Sequence, residues 1–319
     1  MSKKQRKFAD DGWAVWIDGE DTSTVYINDW LNPKGKSYVD LAIRIRGIKS
    51  SKRLSVYVPF DVRADEIEDV SLLYEDKKIL QAIFSASCIV DYKKNEYTSE
   101  IAYNGKTVDI MHISATGYEV SPLADGSLIS VDFEALQPYI DNDEGYFAWR
   151  MPHKSLDRVF KPQVNMGNLV SRFNDLITTP VVSEKYGYSV RINESRLLPE
   201  EVTRLGAFHR QKLKKAVITL SIDEGYELND SNCYRIRRLE ENLYERYLPK
   251  NYNHEEVITY QWSQNRDYNL QGQFNFYYNI TKDSINGGSM SLYMVLLLII
   301  AVIGEMLADL VRVLIDMLG

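Results

Sequence analysis

Hydrophobic and polar residues alternate with a period of two over much of this chain. In Tyr38–Arg46, Val39, Leu41, Ile43 and Ile45 fall on one side, with Asp40, Arg44 and Arg46 mostly on the other. Leu54–Phe60 repeats the pattern. Such alternation marks a strand with one buried face, and the Lys49–Lys52 turn between the two runs predicts a hairpin. Further strands are expected at Ala14–Ile17, Thr24–Ile27, Ile83–Val90, Tyr97–Tyr103, Val108–Ile113, Leu128–Phe133, Tyr146–Met151, Val181–Ile192 and Lys215–Ile222. Asn104-Gly105 is a hairpin turn signal. Val257–Trp262 and Gln273–Ile280 read as a late strand pair rich in aromatics, whose rings belong in a sheet core.

Four stretches shift to helical spacing. Between Ala64 and Ala82, Ile67, Val70, Leu73 and Ile79 recur every three or four residues behind an acidic first turn. Helices are also expected at Leu169–Ile177, at Pro199–Arg210 and, on alternating charge, at Tyr234–Tyr247. The expected fold class is α+β, predominantly β: a body of antiparallel sheets with a few helices, followed by one C-terminal transmembrane helix. Its divisions are a disordered 1–12, a β-rich domain at 13–152, a second α+β domain at 168–280, a polar linker at 281–289 and a terminal helix at 290–318.

That last stretch differs from everything before it. Met290–Gly304 carries no charge, and no Pro follows to the end of the chain. Glu305, Asp309, Arg312 and Asp316 then come at spacings of four, three and four. At about 100° per residue they fall within an arc of roughly 60° on one helix face. The uncharged run of about 15 residues is shorter than the roughly 20 needed to cross a bilayer, so a span takes Glu305 toward the far boundary. A membrane-spanning tail is the expectation; a core helix packed on the body or on a partner subunit, and an interfacial helix, are the alternatives. In lipid, polar groups turn toward neighbouring helices or water, so the stripe predicts a homo-oligomer of tails, and with it a pore.

Composition narrows the function. The 319 residues carry a net charge of -7, which argues against general nucleic-acid binding. No apolar leader follows the basic start Lys3, Lys4, Arg6, Lys7, so the body is expected on the cytoplasmic face of the cell inner membrane. Cys88 and Cys233 are expected as reduced, buried thiols. His112, His153, His209 and His254 show no metal-ligand spacing. No catalytic fingerprint is present, and neither an enzymatic activity nor a cofactor is expected. Asp61, Glu75 and Lys77 mimic a divalent-metal nuclease site, but on a helix Glu75 and Lys77 would not face one way.

Two basic clusters stand out on this acidic background. One holds Arg204, Arg210, Lys212, Lys214 and Lys215; the other holds Arg235, Arg237 and Arg238 beside Tyr234. Arginine next to an aromatic suits a phosphorylated or nucleotide-like trigger, although Glu240, Glu241 and Glu245 stand within helical reach as ion-pair partners. A protein trigger is the other expectation for the body. In domain order the chain resembles membrane-acting effectors of bacterial antiviral defence, in which a soluble sensing domain controls a transmembrane segment. The rival readings are a soluble oligomeric subunit that uses the terminal helix for assembly, and a membrane-held metal-dependent nuclease or hydrolase.

Overall fold

The computed structural model describes residues 7–19, 22–32, 35–84, 88–89, 95–103, 105–160, 182–206, 213–229, 233–239, 245–250, 252, 257–265, 273–284 and 287–318. The chain opens with β1 (Lys7–Asp18), β2 (Thr22–Trp30), β3 (Tyr38–Arg46) and β4 (Arg53–Val58). Then come β5 (Glu68–Asp69), α1 (Lys77–Phe84), β6 (Cys88–Ile89), β7 (Thr98–Tyr103), β8 (Lys106–Met111) and α2 (Ile113–Thr116). β9 (Glu119–Leu123), β10 (Gly126–Asp132), β11 (Glu144–Pro152) and α3 (Lys154–Phe160) follow. After the undescribed 161–181 come β12 (Val182–Ile192), α4 (Glu200–Gly206), β13 (Leu213–Asp223), β14 (Glu227–Leu228) and β15 (Arg235–Arg238). β16 (Val257–Asn265), β17 (Phe274–Ser284) and α5 (Gly287–Leu318) complete the order.

The strands form two sheets. One has the order β14-β17-β12-β1-β4-β10-β9; the other has β15-β16-β13-β2-β3-β11-β8-β7-β6, with β5 also on β11. The body is therefore predominantly β, as the alternation implies. The sheets are mixed, however, where antiparallel ones were expected: β1 pairs β12, β2 pairs β13 and β11 pairs β8 in parallel. The cause is that β1 and β2 lie in opposite sheets, and the chain returns after a long excursion to lay β12 and β13 beside them. Both sheets thus contain strands from before and after the 152–168 segment, and they share one core.

That core follows from the pleat. Val39, Leu41, Ile43 and Ile45 of one sheet meet Leu54, Val56 and Val58 of the other. These are the apolar faces expected of β3 and β4, yet the two strands are not a hairpin. Gly47 adopts φ 85, in the left-handed region that favours glycine. The turn Ile48–Ser50 then carries the chain across, with Ile48 fully buried in the core as a pin. β16 and β17 are likewise split between the sheets rather than paired. Their aromatics do enter the cores: Tyr260, Trp262, Phe274, Phe276 and Tyr278 are buried, with Tyr277 exposed.

Two helices expected from spacing are replaced. Ala64–Ala82 becomes short 3-10 turns, the strand β5 and only then α1. Asp69 accepts from Ser71 N at 3.0 Å and from Ser114 N at 3.0 Å, and such side-chain bonds compete with a helix. In Tyr234–Tyr247, residues 235–238 are drawn into β15 on the edge of β16. Pairing along a sheet edge outweighs a weak helical preference. The helix expected at 169–177 lies outside the described residues, and α4 realises the first part of the one at 199–210.

Candidate functional site

α5 is the region the rest of the fold does not explain. It is one continuous helix of 32 residues, about 48 Å long at about 1.5 Å per residue. Within it Tyr293–Met317, 25 residues of mean hydropathy 2.5, is the one helix among the described residues long and apolar enough to cross a membrane. None of that window is buried against the sandwich. Glu305, Asp309, Arg312 and Asp316 sit on this unbroken helix and are exposed. Arg312 Nη1 lies 3.7 Å from Asp309 Oδ1, an i,i+3 pair along the shared face.

The basic residues separate into two places on the outer face of the larger sheet. Arg235 and Arg237 lie opposite Gln261 and Thr259 and, with Thr219, line a shallow depression at the sheet edge. Arg238 is on the same edge strand; the strand removes the helical spacing that would have paired these arginines with acids, and Glu240 and Glu241 lie outside the described residues. The other place was not visible in the chain order. Lys214 sits at a register shift between Leu213 and Lys215, where β13 bulges against β2. The bulge brings Lys214 to a cavity of about 110 Å³ lined also by Thr22, Ser23, Thr24, Arg44 and Arg46. Lys215 pairs in register with Thr24, while Lys212 and Arg210 lie outside the described residues. Glu144 of β11 joins the two arginines: Oε2 binds Arg44, and Oε1 lies 2.9 Å from Arg46 Nε. The signal in the sequence was the pair Arg44 and Arg46 at i and i+2, on one face of β3.

A buried polar network crosses the sandwich, and the sequence reading missed it. Val25, Ile27 and Asp29 share the inward face of β2, so a carboxyl interrupts an apolar row. Tyr278 Oη of the opposite sheet donates to Asp29 Oδ2 at 3.0 Å. Leu156 N donates to His153 Nδ1 at 3.3 Å, which leaves the ring proton on Nε2. Nε2 then donates to Tyr188 Oη at 3.0 Å, and Tyr188 Oη donates to Asp11 Oδ2 at 2.6 Å. Asp29 Oδ1 makes no hydrogen bond and stands 3.4 Å from His153 Nε2. Burial raises the Asp29 carboxyl to about 8 and lowers His153 to about 3, so both are neutral at pH 7. His153, Tyr188 and Tyr278 are closed off from solvent, so the network ties the sheets together and offers no group to a substrate.

A second buried cluster holds the 245–250 segment down. Arg150 Nε and Nη2 bind Asp40 at 2.6 and 2.9 Å, and Nη2 also donates to Tyr247 O at 2.7 Å. Trp30 Nε1 donates to Asp40 at 2.7 Å. The nuclease-like residues are not gathered this way: Asp61, Glu75 and Lys77 are exposed, on a loop, at the end of a 3-10 turn and at the start of α1. Cys233 is partly exposed, where a buried thiol was expected, because the edge strand next to it leaves it half covered; its Sγ lies 3.1 Å from Arg235 O. The Cys88 side chain lies outside the described residues.

These features define a β-rich body followed by one candidate membrane-crossing helix, a layout compatible with a tail anchor. No protein-family model matches the chain, and no curated protein matches it. Among solved structures, the Fcho1 Mu homology domain of Danio rerio with bound Eps15 peptide aligns at 8% identity, over 86% of this chain and 78% of that chain. Its TM-score is 0.11, a likeness too slight to carry fold or function.

Proposed function

We propose that this protein is a membrane-anchored docking protein: α5 crosses the bilayer and the sandwich holds a ligand or partner beside it. The observation that carries the reading is that no part of the Tyr293–Met317 window is buried. A soluble protein rarely leaves an apolar surface of this size uncovered. Twenty-five residues give about 37 Å, against a hydrocarbon core of about 30 Å, so the helix spans with some tilt. The expected result on fractionation is a pellet that resists high salt and alkaline washing and dissolves in detergent. Release by salt alone would refute the span.

The stripe supports a finer reading. With Tyr293 at one interface, Glu305 lies about 18 Å along the helix, well inside the hydrocarbon. A lone charge there costs about 2.5–3.5 kcal/mol, which drives it toward protein or water. We infer that several copies of α5 associate with Glu305, Asp309, Arg312 and Asp316 turned inward, and that such an assembly conducts ions if its centre is wet. We further propose that the body faces the cytoplasm at the inner membrane; protease added to intact cells should then leave residues 13–280 uncut, and digestion from outside would refute it.

A further inference from the structure

The cavity between β2, β3 and β13 has the chemistry of an anion site. Arg44, Arg46 and Lys214 supply three cations to its lining, and Glu144 bridges the two arginines. Thr22 and Thr24 add hydroxyl groups on the same outward face of β2, and Ser23 between them completes the wall. Glu144 engages one carboxylate oxygen with each guanidinium and so holds the two side by side on adjacent outward positions of β3. Fixed guanidinium forks match phosphate oxygens in pairs, and a lysine contributes a point charge. Lys214 reaches the cavity through a β-bulge, a device that re-aims a side chain and is common beside functional sites. A volume of about 110 Å³ accommodates a phosphate group, while whole drug-sized ligands take roughly 300 Å³ or more.

The topology also places this cavity. Ser284, the last residue of β17, pairs with Val182 at the start of β12. β12 runs parallel to β1, so the exit toward α5 lies at the Lys7 end of β1. The cavity begins at Thr22, just past Asp18 at the other end. β1 has 12 residues, so roughly 35–40 Å separates the two ends at about 3.3 Å per residue. Fewer than four peptide steps join Ser284 to Gly287, so the chain gives the exit end a reach of only about 10 Å. If α5 lies in a bilayer, the exit end is the one tethered to it and the cavity lies at the opposite end of β1, which favours a soluble source.

We propose that the Arg44–Arg46–Lys214 cavity binds the phosphate group of a small soluble ligand. The site itself is independent of the membrane reading; the choice of a soluble source over a lipid headgroup rests on it. The test is calorimetric titration of the full chain, held in neutral detergent micelles, with sodium pyrophosphate and with orthophosphate. Saturable binding of pyrophosphate, weakened by salt, is expected. Arg46→Gln and Lys214→Gln should each weaken it by at least about tenfold, as loss of a charge-assisted hydrogen bond entails, while Arg204→Gln leaves it unchanged. Arg46 is half exposed, so its variants should keep the wild-type melting transition; Arg46→Lys, which retains charge without the fork, should weaken binding to an intermediate degree. No saturable binding at millimolar pyrophosphate, or equal binding by all variants, overturns the site. In phosphatidylcholine nanodiscs, added phosphatidylinositol phosphate should not compete with pyrophosphate; competition lost in Lys214→Gln overturns the soluble source. Membrane fractionation of the same preparations keeps failure of the anchor distinct from failure of the site.

Discussion

The sandwich and α5 are built from the same apolar residue types and treat them in opposite ways. In β3, Val39, Leu41, Ile43 and Ile45 are buried to the last atom or nearly so, because polar neighbours alternate with them and a second sheet covers the apolar side. In α5, Leu298, Ile299, Ile303, Leu307 and Leu310 are all more than half exposed. Polar groups are reversed as well. The sandwich buries Asp29, His153, Asp40 and Arg150, each among partners from other strands, whereas the charges of α5 have only one another. A region that buries its polar groups and covers its apolar ones is complete in water. A region that exposes both needs another solvent, and its charged face needs a neighbour.

The strongest way to break this comparison is to remove one side of it. Deleting residues 287–318 is expected to move the protein wholly from the membrane to the soluble fraction. The far-ultraviolet circular dichroism of the sheets should persist, since no part of the Tyr293–Met317 window is buried on them. Insoluble or unfolded product would show that α5 belongs to the core.

The next effect lies in the sandwich. Arg150→Ala leaves Asp40 buried without its partner and should cost about 3–5 kcal/mol in chemical denaturation. The paired change Asp40→Leu with Arg150→Met should recover much of that loss, because apolar groups of similar volume need no counter-charge. On the helix side, Glu305→Leu removes a charge worth about 2.5–3.5 kcal/mol near the bilayer centre. It should strengthen insertion and weaken cross-linking between tails; unchanged cross-linking with unchanged liposome leakage would reduce α5 to a plain anchor.

A pH titration sharpens the contrast further. The folded state holds the Asp29 proton up to about pH 8, while an unfolded Asp releases it near 4. Stability from this group therefore falls as pH rises from about 4 to 8, by at most about 1.4 kcal/mol per unit. His153 stays neutral in the fold down to about 3, while an unfolded His gains a proton below about 6.5. Its contribution falls as pH drops from about 6.5 to 3. The two slopes cancel between about 4 and 6.5, so melting temperature should be flat there, fall above 6.5 and fall below 4. Asp29→Asn should remove the alkaline limb, and a limb that survives would place the titration elsewhere. The smallest effect is expected at the exposed Arg204–Glu200 pair of α4: Arg204→Ala should change stability by only about 0.3–0.5 kcal/mol.

Period and composition determined most of the strands and which of their faces are apolar, and that 290–318 forms a helix apolar on most sides; Lys7–Gly12, read as disordered, became the start of β1 because β12 pairs with it. These are local properties, written in spacings of two and of three to four residues. Strand partners were decided elsewhere. The Lys49–Lys52 turn reads as a hairpin, yet burial of Ile48 between the sheets sends β3 and β4 to opposite sides. Residues 235–238 read as helix, yet the open edge of β16 makes them a strand. The Asp29–His153–Tyr188–Asp11 network and the Arg44–Arg46–Lys214 cavity each gather residues from distant parts of the chain. No spacing along a sequence encodes such meetings, because they depend on which strands share a sheet and which faces meet across the core. The chain alone announced the apolar helix; only the packed sheets showed that none of its Tyr293–Met317 window is buried on them.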